Sequence, residues 1–354
     1  MTTVGPHLRR LRDRRSPVLI AEAVAREMRI RGGARLTRAQ LARAGKTGAP
    51  VVVGPFMGEV GFELLYWIPF LRSILGGHGI DPARVTAISR GGAESWYRGI
   101  ADGYVDLFDL YSPEEYRQRL KERRREAGDS KQLVELAFDR EVLARAPRAH
   151  GGEPVVLHPS LLFSRLRYFW AGERPLETVL DSASYARLEP PDRPAGLPDA
   201  PYVVVKPYFS SCLPDTAANR TYLRDLVGEL AKGGEVVLLP SSFDFDDHDA
   251  LSAEDLPGVW PLPAAEGPRT NLAVQTAAIA GAQALVGTYG GFSYLAPLLG
   301  VPSATVFSER NFNPAHVEVL RVAAGRLKSD WRVEHTADAS QAAVSASVWS
   351  NRDR

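Results

Sequence analysis

From Ala49 onward, short runs of β-branched and aliphatic residues alternate with longer stretches whose apolar positions recur every three or four residues. That alternation predicts stacked βαβ units around parallel sheet. In the first half it predicts strands at Val51–Val53, Val85–Ile88, Val105–Leu110 and Val155–Leu157, with helices at Glu63–Ile74, Ser112–Arg125 and Lys131–Ala144. Pro190, Pro191, Pro194, Pro198 and Pro201 then crowd one stretch, so residues 190–201 read as an interdomain linker. Beyond it, strands are expected at Tyr202–Lys206, Glu235–Leu239, Ala284–Gly287 and Ser303–Phe307. Helices are expected at Asn219–Lys232, Asn271–Ala280, Gly291–Leu299 and Pro314–Arg326. The chain thus divides into an α/β domain over 47–189 and a second over 202–336, with a polar, Ala/Ser-rich tail at 337–354 expected to fray.

Two of the strand-to-helix junctions are rich in glycine. After Val51–Val53 the chain reads GPFMGEVGFELL, placing Gly58, Glu59 and Gly61 between strand and helix. After Ala284–Gly287 it reads TYGGFSYL, with Thr288, Tyr289, Gly290, Gly291 and Ser293 at the helix start. In open α/β sheets, ligands bind outside the carboxyl ends of strands. A helix N-terminus there offers backbone N–H groups and a positive dipole end, which suits a phosphate. Glu59 is placed to take a proton from an attacking hydroxyl, although a carboxylate there also stabilises a helix start. Glu63, one turn later, assists it or caps the helix. Lys206 ends a strand and Arg220 lies beyond the following loop, so the two are candidates to neutralise phosphate as point charge and fork, with Ser210 and Ser211 adding hydrogen bonds. His158 and Glu309 follow strand ends and are candidates to face the same cleft.

Composition narrows the class. The 354 residues are 45% hydrophobic and 24% charged, an ordinary balance for two packed cores. A single cysteine, Cys212, rules out an intramolecular disulfide framework and reads as inert, in keeping with a cytoplasmic setting. No signal-peptide pattern follows the basic start, and the run LLYWIPFL is far shorter than the ~20 residues that span a bilayer. The net charge of +1 conceals a basic arm: residues 1–46 carry 12 Lys+Arg against 3 Asp+Glu. Ser16-Pro17 and the Thr37–Gln40 pair look like helix starts, and Ile20, Val24 and Met28 share one helix face. The arm is a helical extension packed on the main body or a peripheral contact for an anionic inner membrane face. Nucleic acid is disfavoured, because no aromatic residue interleaves with its arginines. The acidic run FDFDDHD at Phe243–Asp249 is too short a motif to read as a metal site, and no metal is expected.

Taken with their order along the chain, the two glycine segments MGEVGFELLYWIPFLRSI and TYGGFSYLAPLLGVPSATVFS resemble those of GT-B glycosyltransferases, most nearly the bacterial lipopolysaccharide heptosyltransferases. The resemblance covers these segments and the element order. It implies two Rossmann-like domains facing a cleft, closed by a terminal helix that crosses back. It also implies Glu59 as catalytic base, where the family usually has aspartate, and Gly290, Gly291 and Ser293 around a diphosphate. The activity expected is metal-independent, inverting transfer from a nucleotide-diphosphate sugar to a carbohydrate, lipid-linked or small-molecule hydroxyl, with no cofactor besides the donor. A sugar-nucleotide epimerase and a polysaccharide pyruvyltransferase share such a body and are the alternatives.

Overall fold

A computed structural model of the chain describes Met28, Arg35, Thr37 and residues 39–128, 131–147, 152–239, 251–256, 258–262 and 267–349. After a helix through residues 39–47, the first half opens with β1 (Val51–Val53). The next helical segment, α1, joins Val60–Phe62, a π-helical stretch Glu63–Trp67 and Ile68–Gly77. There follow β2 (Val85–Ser89), β3 (Gly103–Asp106), α2 (Leu107–Leu110), α3 (Pro113–Ala127), α4 (Ala137–Arg145), β4 (Val155–Leu157), α5 (Ser160–Trp170) and α6 (Glu177–Leu180). The second half contains β5 (Tyr202–Lys206), α7 (Ala217–Gly233), β6 (Glu235–Leu238), β7 (Val259–Pro261) and α8 (Asn271–Ala280). It continues with β8 (Leu285–Thr288), α9 (Gly291–Leu299), β9 (Ser303–Phe307), α10 (Pro314–Leu327), β10 (Trp331–His335) and α11 (Gln341–Trp349).

The first sheet runs β3-β2-β1-β4 and the second β10-β9-β8-β5-β6-β7, with every pair parallel. Strands covered on both faces read as unbroken apolar runs, which is why VVV and YVVVK form them. Both orders reverse direction at one point, between β1 and β4 in the first sheet and between β5 and β8 in the second. Crevices for ligands open at such reversals. In the second half this places Lys206, paired with Gly287 at the end of β8, at the mouth of the crevice. The molecule is therefore two Rossmann-like halves, the GT-B arrangement, and one apolar core joins them: Trp67, Leu64 and Leu71 of α1 belong to the same cluster as Tyr294, Leu295 and Leu298 of α9.

Several elements differ from the sequence reading. The strand expected over Val105–Leu110 stops at Asp106, whose side chain accepts the Phe108 amide at 2.9 Å and starts the short helix α2. The helix expected from Lys131 begins at Ala137, because Gln132 turns inward to bond the loop after β1. The tail expected to fray holds α11, with Val344 and Val348 buried and the Trp349 indole donating to Leu230 O at 3.1 Å on α7. That helix stays on the second half rather than crossing back. The chain passes between halves just before the proline-rich stretch: Ser184 N bonds Pro69 O in the first half, and Leu188 N bonds Leu298 O in the second. Among the described residues no helix is long and apolar enough to cross a membrane.

Candidate active site

The first loop is built to present one carboxylate. Gly54 has φ of 118°, and a Cβ there would lie 2.4 Å from Ile88 O, so only glycine fits. Its amide bonds Leu157 O at 2.9 Å, and Phe56 N bonds Ile88 O at 2.9 Å, tying the loop to β4 and β2. Gly58 packs beneath the Phe56 ring and does not reach the cleft. Glu59 is the N-cap of α1, its carbonyl accepting from Phe62 N and Glu63 N, while its exposed side chain lies on the cleft wall. Glu63 faces the other way. Within the π-helical stretch it is fully buried, its Oε1 accepting from Ser89 Oγ and Tyr97 Oη at 2.5 Å each. Burial raises its pKa, opposed by Arg90, whose guanidinium lies 3.9 Å from Oε2, and by the two hydroxyls. Glu63 thus backs Arg90, which does line the cleft.

Across the cleft, Lys206 is buried at the end of β5, its Nζ donating to Gln275 Oε1 at 3.2 Å and standing 4.8 Å from the Phe292 ring centre. The loop after it is fastened to β8 by Thr288, whose hydroxyl accepts from Tyr208 N at 3.1 Å and donates to Tyr208 O at 2.6 Å. Thr288 is therefore inside the wall. Ser293 is too: its Oγ donates to Gly290 O at 2.5 Å and accepts from Gly290 N at 3.3 Å, closing the first turn of α9. Tyr289, Gly290, Gly291 and Ser210 reach the cleft surface, and burial pushes the Tyr289 hydroxyl up to about 12. Gly290 is extended, with φ of 165°, and neither Gly290 nor Gly291 is in the left-handed region. Close approach is what demands glycine: a Cβ on Gly290 would fall 1.8 Å from Tyr208 Oη, and one on Gly291 2.8 Å from Gly61 N. The two glycine segments thus touch, backbone to backbone.

Three expected site residues stand elsewhere. Arg220 forks onto Asp215 at 2.5 and 2.6 Å and stacks over Phe209, outside the cleft. His158 is buried, accepting from Ser160 N at 3.1 Å with Nε2 3.6 Å from Asp139. Glu309 is exposed on a loop whose amide bonds Cys212 O, and it does not line the cleft. The acidic run at residues 243–249 and most of the basic arm lie outside the described residues.

The cleft between the halves has a volume of about 570 Å³. Among its described lining residues the cations are Arg90, Arg124 and Lys206, and the one carboxylate is Glu59. His316 also lines it, donating to or accepting from Tyr66 Oη at 2.6 Å. Burial, then Lys131, lowers its pKa to about 4, so it is neutral at physiological pH. Further contacts bridge the halves: Leu272 N to Gly91 O at 2.7 Å, Trp96 Nε1 to Thr276 Oγ1 at 3.0 Å, and Arg269 to Asp109 at 3.0 Å. The sequence reading missed Arg90, Gln275, Tyr208 and His316. Arg90 had a signal, since Ser89-Arg90-Gly91-Gly92 repeats the strand-then-glycine pattern of the other two loops. His316 had none.

No family model matches the chain, and no curated protein matches it. Among solved structures it is similar to E. coli ADP-heptose LPS heptosyltransferase II, with 14% identity over 86% of this chain and 100% of that one and a TM-score of 0.41. E. coli heptosyltransferase WaaC with ADP gives 15% identity, coverage of 86% and 99%, and a TM-score of 0.44. A glycosyl transferase family 9 protein from Veillonella parvula gives 16% identity, coverage of 82% and 86%, and a TM-score of 0.44. The chemistry of the cleft is read from its own side chains.

Proposed function

We propose that the chain is an inverting, metal-independent glycosyltransferase that takes its sugar from a nucleotide-diphosphate donor. The observation that carries this reading is the charge arrangement of the cleft: among its described lining residues there is one carboxylate, set with three cations and the N-terminus of α9. Such a lining attracts an anion and includes a carboxylate able to accept a proton. In this mechanism the diphosphate lies against Gly290, Gly291, Lys206 and Ser210. An acceptor hydroxyl gives its proton to Glu59 as its oxygen bonds the anomeric carbon from the face opposite the leaving group. The bond from that carbon to the phosphate oxygen breaks, and the electron pair leaves on the diphosphate. Lys206, Arg90 and helix N–H groups stabilise the charge that develops there, the part a metal plays in other transferases.

Incubation with a panel of nucleotide sugars, without acceptor, tests the reading. Slow release of nucleoside diphosphate is the expected result. An epimerised nucleotide sugar would instead assign an isomerase, and no binding of any donor would remove nucleotide-sugar chemistry altogether. The acceptor class, and attachment of the basic arm to anionic membrane, belong to the same proposal. Cosedimentation with anionic vesicles that falls with salt and with deletion of residues 1–46 is the result it expects.

A further inference from the structure

Behind the Glu59 loop lies a buried polar cluster that takes no part in the cleft. Gln132 is 1% exposed and sits in the irregular segment between α3 and α4. Its Oε1 accepts from Met57 N at 2.8 Å, and its Nε2 donates to Pro55 O at 2.9 Å and to Asp139 Oδ1 at 3.3 Å. The carboxamide's orientation follows from its partners: an amide N–H can only donate, and a carbonyl and a carboxylate can only accept. Asp139 is itself fixed. Arg123 grips it through Nε at 3.0 Å and Nη2 at 3.0 Å, Leu136 N donates to it at 2.7 Å, and His158 Nε2 stands 3.6 Å away. One side chain thus clamps the backbone on both sides of Phe56, three residues before Glu59, and anchors it to α3, α4 and the end of β4.

We propose that Gln132 is a positioning residue: its carboxamide, oriented by Asp139, sets the path of the loop that presents Glu59 to the acceptor. This rests on the reading of Glu59 as base. A loop hydrogen-bonded only through Gly54 and Phe56 is fixed where it leaves β1 and not where Glu59 departs from it. Small displacements of a reacting group are costly, so the effect belongs in turnover rather than in donor affinity, which the opposite wall provides.

Two variants test this in the full-length protein. Gln132→Leu should lose protection of the Met57 amide in hydrogen exchange. It should also lower kcat for donor hydrolysis by about 10–10²-fold while the dissociation constant of the product nucleoside diphosphate stays unchanged. Gln132→Glu should behave differently with pH. Protonated, its carboxyl can accept from Met57 N and donate towards Asp139; ionised, it faces Asp139 as a like charge, with Arg123 and His158 the other charged or titratable groups present. Its kcat relative to the native protein should therefore recover as pH falls, whereas that of Gln132→Leu should not. Native kcat per folded molecule in both variants, or equal losses in kcat and donor affinity, would overturn the positioning role. An unchanged Met57 exchange rate would overturn the clamp itself. A native protein that turns over no nucleotide sugar, yet loses Met57 protection in Gln132→Leu, would overturn the Glu59 reading and with it the catalytic consequence, and leave the clamp standing.

Discussion

The two glycine segments share one grammar, strand, glycine turn and helix, yet the structure uses them differently. In the first, Gly54 accepts a left-handed backbone so that the chain can turn over β2, and the loop that follows is held by side-chain hydrogen bonds and carries an exposed carboxylate. In the second, Gly290 and Gly291 have ordinary backbone angles and are small because Tyr208 and Gly61 press against them. One loop presents an exposed carboxylate; the other is the seam along which the halves meet, with a half-buried helix N-terminus beside it. A glycine-rich turn therefore signals close approach, and only the surroundings say whether the thing approached is a ligand or another part of the fold.

The contrast can be broken from either side. The largest effect should come from Glu59→Gln, which leaves the loop's shape and removes the proton acceptor: turnover should fall by about 10²–10⁴-fold. Steady-state kinetics showing near-native turnover would take Glu59 out of the mechanism. Gly291→Ala puts a methyl group 2.8 Å from Gly61 N, at the seam. Overpacking of this kind lowers stability by about 1–3 kcal/mol, read from denaturant unfolding. A variant as stable as the native protein would show that the seam yields easily and that glycine there serves a ligand instead.

Acid should loosen the first loop's support before it touches the seam. Although burial opposes it, the nearby His158 and the hydrogen-bonded Arg123 hold the Asp139 pKa down from 3.8 to about 2. A depressed carboxylate adds stability that is fully present above its unfolded value and is lost as pH falls through the folded one, here between about pH 4 and pH 2. Asp139→Asn should flatten that part of the acid unfolding profile, and an unchanged profile would assign the stability to other groups. The smallest effect is expected at Arg220, half-exposed and paired with Asp215 away from the cleft. Arg220→Gln should change stability by less than about 1 kcal/mol and leave donor affinity unaltered. A clear loss of affinity by calorimetry would bring Arg220 back into the site.

Much of this was legible because parallel strands buried on both faces are unbroken apolar runs, and strand ends locate crevices. Val51–Val53 and Tyr202–Lys206 announce themselves in that way, and with them the places of Glu59 and Lys206. What escaped has physical causes. The edge strand Val259–Pro261 is too short to show a period, and Trp331–His335 interleaves Arg332 and Glu334 with its apolar residues. The helix Gln341–Trp349 is mostly Ala, Ser and Val, without a sharp apolar stripe. In the site, Gln275 meets Lys206 across 69 residues of sequence and His316 meets Tyr66 across 250. Neither pairing leaves a local trace. Arg220 was expected in the cleft as the far flank of the loop after β5, and His158 from its place at a strand end. Arg220 instead forks onto Asp215, and His158 is buried with Nε2 3.6 Å from Asp139.

The central claim is that the second half holds a nucleoside diphosphate against Lys206 and the start of α9. Calorimetric titration of UDP, GDP and ADP into the native protein and into Lys206→Met tests it most directly. The account predicts saturable binding of at least one of the three, weakened about 10–10²-fold in the variant, as loss of a charge-assisted contact implies. Binding of none of them, or equal affinity in both proteins, would contradict it.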